Sequence, residues 1–234
     1  MESFLFPKRM VHRMLNPVDW SVVVAGSWNR AILTPAGIVQ RVFKESPDIP
    51  MVIEVPIDML APPKIGLNDV SVVADWSRLV ISADKPLWKL LERSASLAIN
   101  AINELPQTPL QAVAFNVGYA SNVHLDELDC FVKNPLDNKF SDQKLNMESK
   151  TVIRSMQWLG GSVNLTVMRK FEGEPNSTNQ FADQVLFNIE RKSDKVEDHV
   201  AWLSTTMQTI RDLIKSVFEE CFLIETDHYK EVTE

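Results

Sequence analysis

No glycine-rich phosphate loop is written in this chain. Its 234 residues include seven glycines, and neither GxGxxG nor GxxxxGKS/T occurs. A dinucleotide-binding turn needs each of its glycines for a separate steric task, so that class is set aside. The nearest approach is VVVAGSWNRAILTP, residues 22–35, where an apolar run meets Gly26. Trp28 stands there where backbone would have to approach a phosphate. The repeated βαβ alternation of a parallel sheet is also missing.

Cysteine is scarce. Cys130 and Cys221 form neither a CxxC nor a Cys/His ligand spacing, which argues against a zinc site and against a disulfide scaffold. Reduced thiols are the simpler reading, with Cys221 on an apolar helical face as a core residue. No run of about 18 apolar residues exists. The opening MESFLFPKRMVHRM has no apolar signal-peptide core. The expectation is a cytoplasmic protein with no membrane segment. Positive charge is in deficit: 24 Lys and Arg against 31 Asp and Glu, net −7. General nucleic-acid binding needs a basic stripe, and none is present. Lys8, Arg9, His12 and Arg13 read as a solvated arm.

What is present is architecture. SVVVAG (21–26) reads as a strand buried on both faces. Thr34-Pro35 reads as an N-cap followed by proline at the first helical position. The helix it starts carries Ile38, Val39, Val42 and Phe43 on one face. MVIEVPID (51–58) is an edge strand or one stopped by Pro56, and LAPPKIGLND is a loop. Residues 69–84 form a hairpin with arms VSVVA and RLVISA. A long helix spans 86–105, and PLQAVAFNVGYA (109–120) is a strand with Val113, Phe115, Val117 and Tyr119 facing the core. Residues 121–150 read as a polar connector with one helical turn. Strands over 151–159, 162–173 and 181–192 follow, with Gly160-Gly161 as the first turn and EPNSTNQ as a loop. A single amphipathic helix over 197–220 ends the ordered chain.

The expected fold is therefore α+β: a mainly antiparallel sheet of seven to eight strands from two pseudo-repeats, each a meander then a long helix, with the helices packed on one face. The expected organisation is one compact domain over 1–234, its halves at 20–120 and 151–225 joined by the connector 121–150. The segments RLVIS…PLWKLLERSASLAINAINELPQTPLQAVAFNVGY and QVLFNIER…VAWLSTTMQTIRDLIKSVFEECF, ending in Val217, Phe218, Glu219 and Glu220, resemble a sporadically distributed group of uncharacterised bacterial proteins of about this length. The similarity covers about residues 70–225. It implies a bacterial or phage source, and no activity or catalytic residue to carry over.

Chemistry is thin in the sequence. His124, Asp126, Glu127 and Asp129 are the densest set of metal-ligand types, and His228 on the tail is another. A hard-metal loop also wants a glycine at its sharp turn, so the favoured reading is an exposed acidic connector. The metal candidates are thus His124, Asp126 and His228. No GxSxG nucleophile motif occurs, and the four histidines form no constellation. Asp198-His199 reads as a helix first turn, with Asp198 complementing the dipole. No cofactor is expected. The favoured function is a non-catalytic binding protein with a protein partner, in which Trp28, Asn29, Arg30 and Trp76 are the contact candidates. A homodimer through a sheet edge is a further expectation. The alternatives are an apolar-ligand protein with a cavity between helices and sheet, and an enzyme of unknown class.

Overall fold

The structure, a computed structural model, describes residues 15–57, 61–145, 147–171 and 181–224. The basic arm with Lys8, Arg9, His12 and Arg13, the EPNSTNQ loop and the tail with His228 lie outside the described residues. Among the described residues nine strands form the sheet: β1 (Asn16–Gly26), β2 (Val52–Glu54), β3 (Lys64–Leu67), β4 (Val70–Ala74), β5 (Arg78–Ala83), β6 (Leu110–Ser121), β7 (Ser149–Trp158), β8 (Gly161–Lys170) and β9 (Asp183–Lys192). Their order is β2-β3-β4-β5-β1-β6-β9-β8-β7, and every neighbouring pair is antiparallel. Among the described residues six α-helices accompany it: α1 (Pro35–Ile38), α2 (Trp88–Glu104), α3 (Asp129–Val132), α4 (Leu136–Asp142), α5 (Val196–Leu203) and α6 (Met207–Ser216). An α+β fold on an antiparallel sheet is what the patterning predicts.

The strand count is nine, not seven to eight. The missing strand is β3, expected as loop. Only Ile65 and Leu67 of its four residues are buried, too short an alternation to register beside Pro62-Pro63. A two-residue turn at Asn68-Asp69, both left-handed (φ 54° and 62°), folds it onto β4. The hairpin β7–β8 is turned in the same way. Its central residues are Leu159 and Gly160 (φ 46° and 79°), not the expected Gly160-Gly161. Gly161 is the first residue of β8, where a side chain would run into Glu190 backbone and the Trp202 ring.

One face of the sheet is the core. Val22 and Val24 of β1, Leu79 and Ile81 of β5, Phe115 and Val117 of β6, Phe187 of β9 and Leu165 of β8 point there and are buried. Helix α2 packs over β1, β4 and β5, and α5 over β6 and β9. Trp20 meets Trp88 of α2 at a tilt of 54° with ring centroids 4.4 Å apart, and its Nε1 donates to Gly118 O at 3.0 Å. Val23 is only half-buried, so the three valines alternate rather than lie in a strand buried on both faces.

The last helix is two. Ser204 and Thr205 break it, and Thr206 restarts it as an N-cap, its Oγ1 accepting from Thr209 N. Beyond α6 the chain adds a π-helical turn, Val217–Cys221, with Phe222 N donating to Val217 O. The wider turn advances less than 100° per residue, so a 3.6-residue projection misplaces its end. Cys221 is exposed rather than core, and Phe222 is buried in its stead.

Within α5, His199 is fully buried, and neither ring nitrogen has a hydrogen-bond partner among the described residues. Burial holds its pKa below the ordinary value; Arg191 adds to this, while Asp198 and Asp194 oppose it. The folded protein thus keeps a neutral ring that the unfolded chain protonates near pH 6.5. Stability is therefore expected to fall as pH drops below that value. His199→Leu should remove that component of the pH dependence and raise stability at neutral pH by about 1–2 kcal/mol. Thermal unfolding of both proteins across pH 5–8 checks this; parallel pH profiles would refute it.

Candidate interaction surface

The stretch around Gly26 is spoken for. Gly26 N donates to Ser77 O, Ser27 N to Pro109 O and Trp28 N to Trp76 O, at 2.9–3.0 Å. A phosphate would need such N–H groups unpaired, so this turn is a splice between β1 and the β4–β5 hairpin. Thr34 does cap α1, its side chain accepting from Gly37 N at 3.2 Å.

The four contact candidates separate. Trp28 is 2% exposed and its Nε1 donates to Val24 O at 3.0 Å. It is a core residue, which corrects its expected place at the surface. Its backbone N–H donates to Trp76 O at 2.9 Å, and its ring belongs to the hydrophobic core. Asn29 is exposed, but its Oδ1 accepts from Ala31 N and its backbone O from Ile32 N and Leu33 N, so it shapes the loop. Trp76 is 65% exposed, with the Arg30 guanidinium 5.5 Å from its ring centroid. Arg30 and Trp76 remain together as a cation–π pair on the surface.

The metal candidates do not assemble. His124 Nδ1 lies 3.3 Å from Asp183 Oδ1, Asp126 opens a 3-10 turn (Asp126–Leu128), and His228 is outside the described residues. Among the described residues no three His, Cys, Asp or Glu side chains converge as a metal site.

The densest polar cluster was not expected from the sequence. Arg169 at the end of β8 meets Asp183 at the start of β9, its register partner. Nε and Nη2 donate to the two carboxylate oxygens at 2.7 and 2.9 Å, and Nη1 donates to Asp129. Leu125 completes the clamp, its N–H donating to Asp183 Oδ2 at 2.7 Å and its O accepting from Arg169 Nη2 at 2.7 Å. Burial opposes the charge on Arg169, but the bonds to Asp183 and Asp129 outweigh it and raise its pKa. Lys133 foremost, against burial and with help from Arg169, holds Asp129 below the ordinary carboxylate range. Both oxygens of Asp183 are committed, and among the described residues no hydroxyl or thiol hydrogen-bonds His124. The cluster anchors the connector to the sheet rather than assembling a nucleophile. A charge in phase with Val163, Leu165 and Val167, and another in phase with Val185 and Phe187, was the signal available in the sequence.

The sheet face turned away from α2 and α5 carries a second polar feature. Ser155 Oγ donates to Asn164 Oδ1, Asn164 Nδ2 to Asn188 Oδ1, Asn188 Nδ2 to Asn116 Oδ1 and Asn116 Nδ2 to Ser21 Oγ, at 2.7–3.2 Å. The stripe crosses β7, β8, β9, β6 and β1. By register it continues to Ser82 of β5 and Ser71 of β4. Each such cross-strand pair contributes about 0.2–1 kcal/mol, and together they pin the register. Beside it, burial opposes the charge on Glu190, but bonds from Lys192, Asn164 and Ser162 outweigh it and lower its pKa. A cavity of about 860 Å³ opens at the Ser21–Ser82–Ser71 end, lined also by Asp19, Asn68 and Asp84. Another, of about 620 Å³, lies at the connector and is lined by Val132, Phe140, Leu145, Met147 and Phe171. Neither cavity is the one expected between the long helices and the sheet.

The sheet's two edges differ. β2 is three residues long, lies between Pro50 and Pro56, and carries the Glu54–Lys64 ion pair at 3.2 Å. β7 is ten residues long and none of them is buried. Ile153 is 61% and Met156 41% exposed, and Leu159 just beyond is 67% exposed. No protein-family model matches the chain, and no curated protein matches it.

Proposed function

We propose that this is a non-catalytic binding protein that acts through protein–protein contacts in a bacterial or phage accessory system. The observation that carries the reading is β7. Proteins ordinarily blunt a long edge strand with proline, bulges or outward charge, because its free N–H and C=O groups template another strand. This edge has no proline and an unbroken register with β8, exposes Ile153 and Met156, and has both of its cations engaged within the chain. The Arg30–Trp76 pair is a second contact point, since exposed tryptophan and arginine are the residue types that dominate interface energetics. Two free, exposed cysteines agree with a reducing cytoplasm. Strand β5 followed by α2, and β9 followed by α5, is the proposed pseudo-repeat, with Trp88 and Trp202 on the two helices.

A second reading, binding of a small apolar ligand, is supported by the cavity at Phe140, Leu145 and Met147. Native mass spectrometry of the protein purified from its own host addresses both readings. The expected spectrum contains a protein partner or a second copy, lost on Ile153→Lys and weakened on Trp76→Ala. Trp76→Ala should change folding stability by no more than about 0.5 kcal/mol, because the ring is mostly solvated. A bound small molecule on a monomer would favour the second reading. A clean apo monomer would overturn both.

A further inference from the structure

We infer that the partner of β7 is a second copy of this chain, joined antiparallel about a two-fold axis at Ile153. This rests on the reading of β7 as an interaction edge and names its occupant. The two-residue turn at Leu159 and Gly160 closes on the pair Trp158–Gly161. In such a hairpin the pair flanking the turn exchanges hydrogen bonds, and bonding then alternates along the strand. The even-numbered residues of β7 therefore bond β8. Ser149, Thr151, Ile153, Ser155 and Gln157 direct their N–H and C=O groups outward.

None of those five outward residues is charged. The strand's two cations, on the other face, are engaged within the chain: Lys150 pairs with Asp137, and the Arg154 guanidinium lies 4.4 Å from the Phe131 ring centroid. Both cations are therefore drawn toward their own chain.

Charge selects the register. An axis at Ile153 sets Ile153 against Ile153, Thr151 against Ser155, Ser149 against Gln157, and Lys150 against Met156. Residues 149–157 pair throughout, with about ten inter-chain hydrogen bonds and no like charges directly opposite one another. An axis at Arg154 would stack arginine on arginine. One at Val152 would set Lys150 against Arg154. Axes at Thr151 or Ser155 pair fewer residues of the strand. An isologous contact of this kind closes on itself, so it ends at a dimer. The short, proline-flanked β2 edge stays outermost on each side.

Site-specific oxidation tests the register, in a background where the exposed Cys130 and Cys221 are replaced by serine. Ile153→Cys is expected to give a covalent dimer, because directly paired residues lie within disulfide reach. Ser155→Cys is expected to give none, its counterpart being about 14 Å away along the strand. Wild-type protein should sediment as a dimer and Ile153→Lys as a folded monomer. A dimer that cross-links equally at both positions, or a wild type that is monomeric at about 100 μM together with an Ile153→Cys protein that does not cross-link, overturns the proposal. In the monomer case, host complexes that still disappear on Ile153→Lys keep β7 as an edge for a different protein. Complexes unchanged by that substitution overturn the edge reading as well.

Discussion

Arg169→Met is expected to destabilise the protein by about 3–5 kcal/mol, the cost of leaving one member of a buried ion pair alone. Asp183 is fully buried, and Arg169 supplies two of the bonds to its carboxylate. Methionine fills similar space but leaves that charge with the Leu125 N–H and the His124 ring. It also releases Asp129 and the Leu125 carbonyl, so the connector should loosen from β8 and β9. Asp129 is the lesser loss, since it keeps Lys133. Urea denaturation measures the effect, and hydrogen exchange over residues 121–132 locates it. The double variant Arg169→Met/Asp183→Asn tests the cause. Asparagine is neutral and still accepts from Leu125 N–H, so the double variant should recover part of the loss. A single variant costing under about 1 kcal/mol, or a double variant costing the sum of the two singles, would show that the pair does not act as described.

Phe218→Ala is expected to cost about 3–5 kcal/mol, the range for emptying a buried aromatic site. Phe218 is fully buried. It meets Tyr119 of β6 edge-on at 5.0 Å and Phe187 of β9 at 5.5 Å. Phe222, at 6.3 Å, rests on its other side. One ring therefore ties the π-helical turn after α6 to two strands inside the sheet. Cys221→Ser, three residues on, should change stability by no more than about 0.5 kcal/mol, because that side chain is exposed. Thermal and urea unfolding of the two variants separate these outcomes. A large cost for Cys221→Ser would place the register of the turn elsewhere.

Most of the scaffold was legible because its signals are local. Alternation places Val113, Phe115, Val117 and Tyr119 on the core face of β6, and all four are buried. Thr34-Pro35 marks a helix start by steric rules that need no neighbours. VSVVA and RLVISA predict β4 and β5 to the residue. Legibility failed where the deciding partner is distant. KIGL becomes a strand only because β2 and β4 flank it. Helix α5 stops at Leu203, and a π-helical turn rotates Cys221 outward, neither of which a 3.6-residue projection registers. The contact site shows the same limit. Exposure of Trp76 followed from its place in a turn, whereas Trp28 is a core residue whose backbone pairs with a hairpin some fifty residues away in the chain.

By itself, then, the sequence determined the fold class, eight of the nine strands, the core face of β6 and the lack of a glycine-rich phosphate motif. These follow from periodicity and backbone sterics, which act over a few residues. Tertiary structure alone decided that Arg169 and Asp183 share one buried site, and that three asparagines from β6, β8 and β9 line up with Ser155 and Ser21. It also decided that β7 was left at the other open edge, opposite the proline-marked β2. Those outcomes depend on strand order and register, which are set by the packing of the whole sheet against its helices.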